Sequence, residues 1–528
     1  MHSDRILECT LLHRSRPPSP ENAIEEDPPT MMSLPIVPQF EALPDGKSVD
    51  RAIRLAECLV REQPRLEPDE SLRAMIPDHL DDAPALHLDD LSGIALPERA
   101  GDMTFQQDRA RLRAGDGDIV SSCTAADPDY ERYCEQQLGL GKVTWFRPRP
   151  RLNPLSAATA CWTDRTVRKE LVRALRTTEL QYIHPYMGTS AVWITADLLQ
   201  RASHRPIKVL APPPALTESV NNKLWFADVV RRLFGGHSVP PTAHAYNLAT
   251  LSMLVRAMAV TSNSIVIKLP DSAGGSGNLV LDTRTFRRKP LGKIRAELKQ
   301  ILRPLGWEGE RRLLVGSWET SVLCAPSVQL WIPPEQVGAP VIEGLFEQIV
   351  EGTHGAWKGS RQVRFPLALT REMIDRCWLL ARLYQRLSYV GRCSFDMLLV
   401  GTSLASCRIE FLECNGRWGG ASLPMTLMNR LFEDHSTQPF ATRACCVPGL
   451  ERFRFGELLE ILADDMFDVR TGRGHLILLN PSGLSARSGI DVLAMARTGE
   501  AAARIVEVDF PARLERLVGA GPGRLQAG

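Results

Sequence analysis

Glu413, Asn415 and Arg417 occupy every second position near the end of the stretch EFLECNGRWGG, residues 410–420. Apolar residues precede them and glycines follow, which indicates a β-strand that ends in a loop. Alternate side chains of a strand share one face, so an acid, an amide and a guanidinium would point the same way. The acid and the amide offer oxygen ligands to a cation, and the guanidinium can contact an anion beside it.

An apolar strand upstream supplies a second acid. CSFDMLLV (393–400) precedes CRIEFLECN (407–415), and the polar turn GTSLAS joins them. If the two strands pair antiparallel about residues 404–405, Asp396 lies opposite Glu413. Two carboxylates about 4 Å apart repel by about 4 kcal/mol at an effective dielectric constant of about 20. Protonation, an ion pair or a bound cation would offset this repulsion.

Together, Asp396, Glu413 and Asn415 form a set of hard oxygen ligands. Such a set suits Mg²⁺, which takes a few protein oxygens and completes its shell with phosphate oxygens and water. An ordinary strand end whose acids face water is the alternative that spacing alone leaves open.

A second candidate site lies in IKLPDSAGGSGN (267–278), where Lys268 ends a strand just before a glycine-dense turn. Glycines lack a Cβ atom, so their backbone N–H groups can close around phosphate oxygens, and serine hydroxyls can donate as well. The candidate residues of this turn are Ser272, Gly274, Gly275, Ser276 and Gly277. Lys268 would add a point charge. The stretch matches neither a Walker loop nor the G-x-G-x-x-G pattern, and an ordinary turn is the alternative.

Lys223 stands at the start of the predicted helix KLWFADVVRRLFGG (223–236), directly after Asn222, a candidate N-cap. A positive charge is unfavourable at the positive end of a helix dipole. This cost indicates a bound anion near Lys223. The alternative is a lysine whose stem covers the surface and whose ammonium reaches water.

The chain has 528 residues, too many for one core, so two or more domains are expected. Residues 1–100 are rich in proline and acids, which predicts a partly disordered or loosely attached region. Strands and helices alternate over 101–240, which indicates an α/β domain with a parallel sheet. Residues 241–440 indicate an α+β domain with antiparallel sheets. Residues 441–528 predict a small domain with a helix, a strand and a second helix over 489–507.

The composition narrows the class of protein. Lysine and arginine number 63 against 62 aspartates and glutamates, which argues against a dedicated nucleic-acid or membrane-surface binder. No apolar run reaches about 18 residues, so no membrane-spanning helix is expected. The twelve cysteines contain no C-x-x-C pair, and the start of the chain lacks the apolar core of a signal peptide. Reduced thiols in a cytoplasmic protein are therefore predicted.

These segments, in this order, resemble the ATP-grasp superfamily over residues 205–435. The resemblance is carried by NNK…GGHSVPPT, SIVIKLPDSAGGSGN, LLVGSW, CSFDMLLV and, most specifically, EFLECNGRWGG. The long α/β lead-in and NGRWGGASLPM are similar to the pheganomycin-type peptide ligases, which carry a pre-ATP-grasp domain. The resemblance implies a pre-ATP-grasp α/β domain, then an ATP-grasp fold whose two α+β subdomains sandwich ATP, then a small C-terminal α/β element.

The resemblance also implies nucleotide-binding roles. Lys223 and Lys268 would contact the phosphates of ATP, and the glycine-rich loop 272–277 would cover them. Adenine would contact the backbone of a hinge whose residues are Val315, Ser317 and Trp318. The family's hinge usually offers an acid where this chain has Gly316 and Ser317, and Glu319 is displaced from that position or unrelated to it.

The implied catalytic groups come from two parts of the chain. Arg417 would stabilise the transferred phosphoryl group or an acyl phosphate, with Lys268 assisting at the phosphates. The implied ligands of Mg²⁺, with two ions expected, are Asp396, Glu413 and Asn415. The implied reaction is ATP-dependent ligation of a small-molecule or peptide carboxylate to an amine, with release of ADP and phosphate. A thiol or hydroxyl acceptor and a homo-oligomer remain open.

Two other functions remain as alternatives. One is a catalytically inactive, nucleotide-binding regulatory protein, and the other is a dinucleotide-dependent oxidoreductase built on 101–240. In the loop EGTHGAWKGSR, His354, Lys358 and Arg361 could contact the substrates, or the segment could be an ordinary surface loop. Trp418, beside the candidate arginine, is expected to pack rather than to react.

Overall fold

The structure, a computed structural model, describes residues 40–80, 83–94, 103–177, 180–269, 278–303, 307, 312–352 and 355–520. Within these ranges the strands are β1 (Ala85–Leu88), β2 (Ile119–Ser121), β3 (Thr144–Phe146), β4 (Tyr182–Pro185), β5 (Lys208–Val209), β6 (Thr242–Ala245), β7 (Ser264–Lys268), β8 (Asn278–Asp282), β9 (Leu313–Ser317), β10 (Val322–Cys324), β11 (Pro326–Ile332), β12 (Val341–Glu351), β13 (Ala356–Gln362), β14 (Gly391–Val400), β15 (Arg408–Asn415), β16 (Phe440–Cys446), β17 (Leu476–Leu479) and β18 (Gly489–Met495). The α-helices are α1 (Gly46–Glu62), α2 (Glu70–Met75), α3 (Pro128–Arg132), α4 (Ala157–Thr163), α5 (Arg165–Thr177), α6 (Ser190–Ser203), α7 (Pro214–Asn221), α8 (Lys223–Phe234), α9 (Leu248–Thr261), α10 (Leu291–Leu302), α11 (Leu367–Arg386), α12 (Ser422–Phe432), α13 (Phe455–Ile461), α14 (Gly483–Arg487), α15 (Gly499–Arg504) and α16 (Phe510–Ala520).

Strands β1–β5 form a five-stranded parallel sheet in the order β3-β2-β1-β4-β5. The predicted parallel sheet is therefore present, with apolar residues of α5 and α6 packed on it. The boundary predicted at residue 101 is corrected, because β1 is the central strand of this sheet. Met75 of α2 belongs to the same core, so the unit begins well before β1.

The prediction of a loosely attached region over 1–100 is corrected for residues 40–80. Helix α1 repeats small and apolar residues at helical spacing, and this face is buried against α8 and α11. Glu62 at its end pairs with Arg232 of α8 at 2.7 Å. An amphipathic helix with an available core face packs against that core whatever the composition around it.

The remaining strands form two antiparallel arrays, which confirms the predicted α+β character. Strands β6-β9-β7-β8 make a four-stranded sheet covered by α9 and α10. A nine-stranded sheet has the order β10-β14-β11-β12-β13-β16-β18-β17, with β15 paired to β14. Helices α8 and α11 pack on the apolar face of its β11-β14-β15 part.

The boundary predicted at residue 441 is also corrected, because β16, β17 and β18 continue the nine-stranded sheet. The helix predicted over 489–507 is wrong at its start, where GIDVLAM forms β18. This stretch alternates well enough to pair with strands on both sides, and its residues are almost all buried. The helix begins only at Gly499, after Thr498 caps it by accepting from Ala501 N–H.

Two further observations concern the cysteines and membrane-spanning helices. The cysteines in the described residues are free thiols, as the scattered spacing predicted. Across the described ranges, no helix combines the length and the apolar character needed to cross a bilayer.

Candidate active site

The β14–β15 hairpin places the two predicted acids side by side. Asp396 is directly opposite Glu413, which confirms the predicted register, and Ser394 is opposite Asn415. On the other side of β14, Ser327 of β11 lies opposite Asp396. A row of polar side chains thus crosses three strands on the face of the sheet that lines a cavity.

A β-bulge decides which way Glu413 points. The register shifts between Asp396 and Met397, because Met397 faces Phe411 and Leu412 is an extra residue. Ile409 and Phe411 belong to the core beneath the sheet. Without the extra residue, strict alternation would put Glu413 on that same apolar face. The bulge therefore turns the end of β15 so that its acid and amide reach the cavity.

Asp396 is buried and held by hydrogen bonds from two sides. Ser327 Oγ donates to its Oδ1 at 2.6 Å, and Asn415 Nδ2 donates to its Oδ2 at 2.9 Å. Gln329 Nε2 donates in turn to Ser327 Oγ at 2.9 Å. Burial, followed by the charge of Glu413, raises the pKa of Asp396 to about 7. The carboxyl is thus fixed in place but unfavourable as an anion without a cation beside it.

Lys223 forms an ion pair with Glu413, with Nζ and Oε2 at 2.8 Å. Asn222 caps α8 by accepting from the N–H groups of Leu224 and Trp225, so the predicted cap is present. Phe226, one turn later, stacks on Phe395 of the hairpin with ring centroids 5.9 Å apart. The apolar face of α8 therefore packs on the underside of the hairpin and fixes the lysine at its first residue.

The charges around Glu413 outweigh its burial. Burial raises the pKa of Glu413, but Lys223, Arg417 and Lys268 together hold it below the ordinary value. Lys268 comes from the other sheet, at the end of β7. Burial lowers the pKa of Lys268 to about 8, and the charge of Glu413 partly opposes this shift. We call Lys223, Lys268, Asp396 and Glu413 the lysine end of the cavity.

Arg417 is held by residues from two other elements. Its Nη1 donates to Asn221 Oδ1, its Nη2 to Asn415 Oδ1 at 2.6 Å, and its Nε to the Tyr186 hydroxyl at 3.2 Å. Asn221 Oδ1 also accepts from the N–H of Gly416. A Cβ at Gly416 would lie 2.4 Å from Val220 Cγ2, so only glycine permits this close approach. The guanidinium is thus oriented before any ligand binds.

The two lysines, the two acids and Arg417 line one cavity of about 690 Å³ between the two antiparallel sheets. Val266 and Lys268 line it from the four-stranded sheet, and Ser327, Asp396 and Glu413 from the nine-stranded sheet. This is the arrangement of two α+β units around a cleft that the resemblance implied.

The predicted hinge lies on this cavity as the end of β9. Ser317 and Trp318 line the cavity, whereas the side chain of Val315 is buried in the core. The N–H groups of Ser317 and Trp318 already donate to Pro241 O and Ser264 O. Glu319, which follows the hinge, also lines the cavity and accepts from Arg408 at 3.0 Å.

The remaining predicted residues have different outcomes. The glycine-rich turn with Ser272, Gly274, Gly275, Ser276 and Gly277, and also His354, lie outside the described residues. Lys358 lines the cavity, whereas Arg361 is paired with Glu347 at 2.7 Å. Trp418 is buried, as expected for a packing residue, between the guanidinium groups of Arg113 and Arg392.

The oxygen donors around Asp396 fit a hard divalent cation. Across the described residues, no group of three or more histidine, cysteine or acidic side chains is arranged to hold a metal ion. Carboxylate and amide oxygens are the protein ligands that Mg²⁺ takes, with water and phosphate oxygens completing its shell. The amide oxygen of Asn415 faces Arg417 and its nitrogen faces Asp396. Ligation by Asn415 would therefore require its amide to exchange these partners. Gln329 Oε1, buried nearby, has no hydrogen-bond partner among the described residues.

Sequence reasoning missed the residues that surround the hairpin. Asn221 stands within the quoted NNK motif, but only its lysine was assigned a role. Tyr186 directly follows β4, and the carboxyl ends of parallel strands are where ligands usually bind in such sheets. Ser327 and Gln329 carry no local signal, since they are polar residues on a buried strand whose partners are distant in sequence.

No family model and no curated protein matches the sequence. Among solved structures, the chain is similar to an ADP complex of N5-carboxyaminoimidazole synthetase from Staphylococcus aureus, with 9% identity, a TM-score of 0.49, and 84% of this chain and 100% of that chain covered. It is similar to N5-carboxyaminoimidazole synthase from Aspergillus clavatus, solved with ADP and 5-aminoimidazole ribonucleotide, with 11% identity, a TM-score of 0.48, and 82% and 99% covered. A biotin carboxylase domain from Hydrogenobacter thermophilus, with MgADP, ADP and bicarbonate, matches at 11% identity, a TM-score of 0.46, and 80% and 88% covered. With identities this low and TM-scores below 0.5, the activities of these proteins do not transfer to this chain.

Proposed function

We propose that this protein is an ATP-dependent ligase that joins a carboxylate to an amine through an acyl phosphate. The observation that carries the proposal is the Lys223–Glu413 ion pair, at 2.8 Å, beside Asp396 in the cavity between the two sheets. Two lysines from different elements and two carboxylates from one hairpin therefore converge on one space. Opposite charges at this density suit a ligand that carries both phosphates and a cation.

The lysine end would hold the phosphates. Lys223 and Lys268 approach from α8 and from β7, so they can neutralise oxygens of different phosphate groups. When an anionic ligand engages Lys223, Glu413 loses its present partner and becomes free to bind a cation. The base would lie along the hinge, where Ser317, Trp318 and Glu319 line the cavity.

Asp396, Glu413 and Asn415 would hold Mg²⁺, for which their oxygens are suited, and we propose two ions. When bound, Mg²⁺ would offset negative charge on the phosphate oxygens. Ser327 and Gln329 would keep Asp396 oriented through the hydrogen bonds that already hold it. The protein's contribution is thus a preorganised set of oxygens whose mutual repulsion the ligand relieves.

The reaction would proceed in two steps. A carboxylate oxygen attacks the γ-phosphorus, the bond to the β,γ-bridging oxygen breaks, and ADP leaves. The amine then attacks the acyl carbon, the bond from that carbon to the phosphate oxygen breaks, and phosphate leaves with the amine's proton. Arg417, fixed by Asn221 and Tyr186, would stabilise the negative charge that is transferred in both steps. No side-chain nucleophile is needed.

A screen for substrates tests this proposal. The full chain is incubated with ATP, Mg²⁺ and pairs of carboxylates and amines, including amino acids and short peptides. Release of ADP and phosphate is recorded, and the product is identified by mass. We expect ADP release that requires both substrates and a product heavier by the amine minus water. A protein that binds ATP but releases no ADP with any pair would support the regulatory alternative instead.

A dinucleotide-dependent oxidoreductase is less well supported by the site. The parallel sheet contributes Tyr186 from the end of β4 to the same cavity, where it binds the guanidinium of Arg417. A measurement of NAD(P) or flavin absorbance in the purified protein separates the two functions, because only an oxidoreductase would retain or turn over such a cofactor.

A further inference from the structure

The cavity extends past Arg417 to a second group of basic residues. The Tyr186 hydroxyl accepts from Arg417 Nε. The ring of the same tyrosine contacts Arg109, whose Cζ lies 5.1 Å from the ring centroid. Arg109 Nε donates to Gln106 O at 3.0 Å. We call this region, with Arg109, Gln106 and Arg487, the arginine end of the cavity.

Arg487 reaches the same stretch of chain from the other side. Its Cζ lies 4.9 Å from the ring centroid of Phe105, the residue before Gln106. Arg109 belongs to the N-terminal α/β unit and Arg487 to the end of α14, so two parts of the chain that are distant in sequence line the same cavity. Met103 and Ala444 supply apolar surface beside them.

The carboxylates beside the arginine end, among them Asp89 and Asp108, are buried and do not line the cavity. Asp89 is fully buried and pairs with two guanidinium groups. Its Oδ1 lies 2.7 Å from Arg113 Nη2, and its Oδ2 lies 3.7 Å from Arg109 Nε. Arg109 Nη2 is buried without a hydrogen-bond partner among the described residues, and so is Asp89 Oδ2. A guanidinium that keeps unused donors in a buried site is costly unless a ligand supplies the acceptors.

Arg487 is also only partly satisfied. Its Nη2 donates to Asp491 Oδ1, whereas its Nε is buried without a partner in the part of the chain that the structure describes. Asp491 is shared as well, because Asn480 Nδ2 donates to its other oxygen at 3.1 Å. Each arginine of this end therefore has one carboxylate that it shares with another group and at least one unused N–H.

The charges that line the cavity are distributed unevenly. Among the described residues, the basic ones that line it are Arg109, Lys223, Lys268, Lys358, Arg417 and Arg487. The acidic ones are Asp396 and Glu413, at the lysine end, and Glu319, after the hinge. No acid of the described lining accompanies Arg109 and Arg487, which favours an anion as the group that binds there.

We propose that the arginine end binds the free carboxylate of the amine substrate, which is therefore an amino acid or a peptide. The proposal rests on the ligase activity proposed above and adds the chemical class of its second substrate. The planar fork of a guanidinium matches a carboxylate, and two arginines on either side of Phe105 and Gln106 can share one. With its carboxylate held there, the substrate's amine extends past Tyr186 towards Arg417, where the acyl phosphate forms.

Binding can be measured without turnover, by calorimetric titration of the full chain with ADP and Mg²⁺ present. The probes are a panel of dipeptides and the same dipeptides with C-terminal amides. We expect at least one acid to bind the wild type at least tenfold more tightly than its amide. Arg109→Gln and Arg487→Gln should each reduce this ratio to about one, chiefly by weakening the acid.

Arg168→Gln is the matched control, because that guanidinium also lies over an aromatic ring, Trp162, at 4.9 Å, but does not line the cavity. Its acid-to-amide ratio should equal that of the wild type. Equal affinity for acids and amides in the wild type would overturn the proposal, and so would a ratio that survives in both Arg109→Gln and Arg487→Gln. A normal ratio in a protein that never releases ADP would refute the ligase reaction while leaving this subsite in place.

Discussion

The two ends of the cavity handle charge in opposite ways. At the lysine end, Lys223 and Glu413 neutralise each other across two elements, with Lys268 and Asp396 close by. At the arginine end, guanidinium groups outnumber the carboxylates that reach them. Paired charges can exchange partners when a ligand of mixed charge arrives, whereas guanidinium groups that keep unused N–H donors favour an anion. We therefore expect the lysine end to control catalysis and the arginine end to control which substrate is bound.

Glu413→Gln should break the lysine end with the largest effect. The amide keeps the shape but removes the charge that pairs with Lys223 and the proposed cation ligand. ADP release should fall at least about 100-fold, with the acid-to-amide binding ratio unchanged. Glu297→Gln is the matched control, because Glu297 pairs with Lys289 at 2.7 Å away from the cavity. A Glu413→Gln protein with the full rate would contradict the proposed metal site.

The pH dependence of nucleotide binding should sharpen the contrast. The pKa of Lys268 is lowered to about 8, so its side chain is a charged ammonium below that pH and loses its charge as the pH rises through about 8. Binding of ADP in EDTA should therefore weaken about tenfold between pH 7 and pH 9. Lys268→Arg stays charged over this range and should show a flat profile. Equal slopes for the two proteins, measured by titration calorimetry, would exclude Lys268 as the titrating group.

Tyr186 connects the two ends and allows them to be separated. Tyr186→Phe removes the acceptor of Arg417 Nε but keeps the ring beneath Arg109. One lost hydrogen bond predicts about a fivefold lower kcat/KM with the acid-to-amide ratio retained. Tyr186→Leu removes the ring as well and should also lower that ratio. If both variants lowered the acid-to-amide binding ratio equally, the hydroxyl and the ring of Tyr186 would not act separately on the two ends of the cavity.

Gly420→Ala should have the smallest effect on the lysine end and the arginine end, because it changes the cavity wall rather than a charge. A Cβ at this position would lie 2.2 Å from a ring carbon of Trp357. Moving that indole should lower the free energy of unfolding by about 1–3 kcal/mol, measured by chemical denaturation. Gly338→Ala is the control, since a Cβ there has nothing within 4 Å. Equal stability of the two variants would show that Trp357 moves without cost.

Local sequence signals were sufficient for the parts of the protein that depend on neighbouring residues. The alternation in CSFDMLLV and the Asn-Lys start of KLWFADVVRRLF correctly indicated the hairpin, the Asp396–Glu413 register and the cap of α8. The same reasoning placed a domain boundary at residue 101 and a helix at 489. Both errors arose where strands pair with partners far along the chain, which short-range periodicity does not reveal.

By itself, the sequence determined which side chains are the candidates for the chemistry: two acids and an amide at a strand end, a lysine after an N-cap and an arginine beyond the strand. The tertiary structure decided where they point. The extra residue at Leu412 turns Glu413 from the core to the cavity, and packing of Phe226 on Phe395 brings Lys223 to within 2.8 Å of that acid. Arg109 and Arg487 line one cavity only because separate units fold against one another. A bulge and a long-range contact are properties of paired surfaces, and no single stretch of chain contains them.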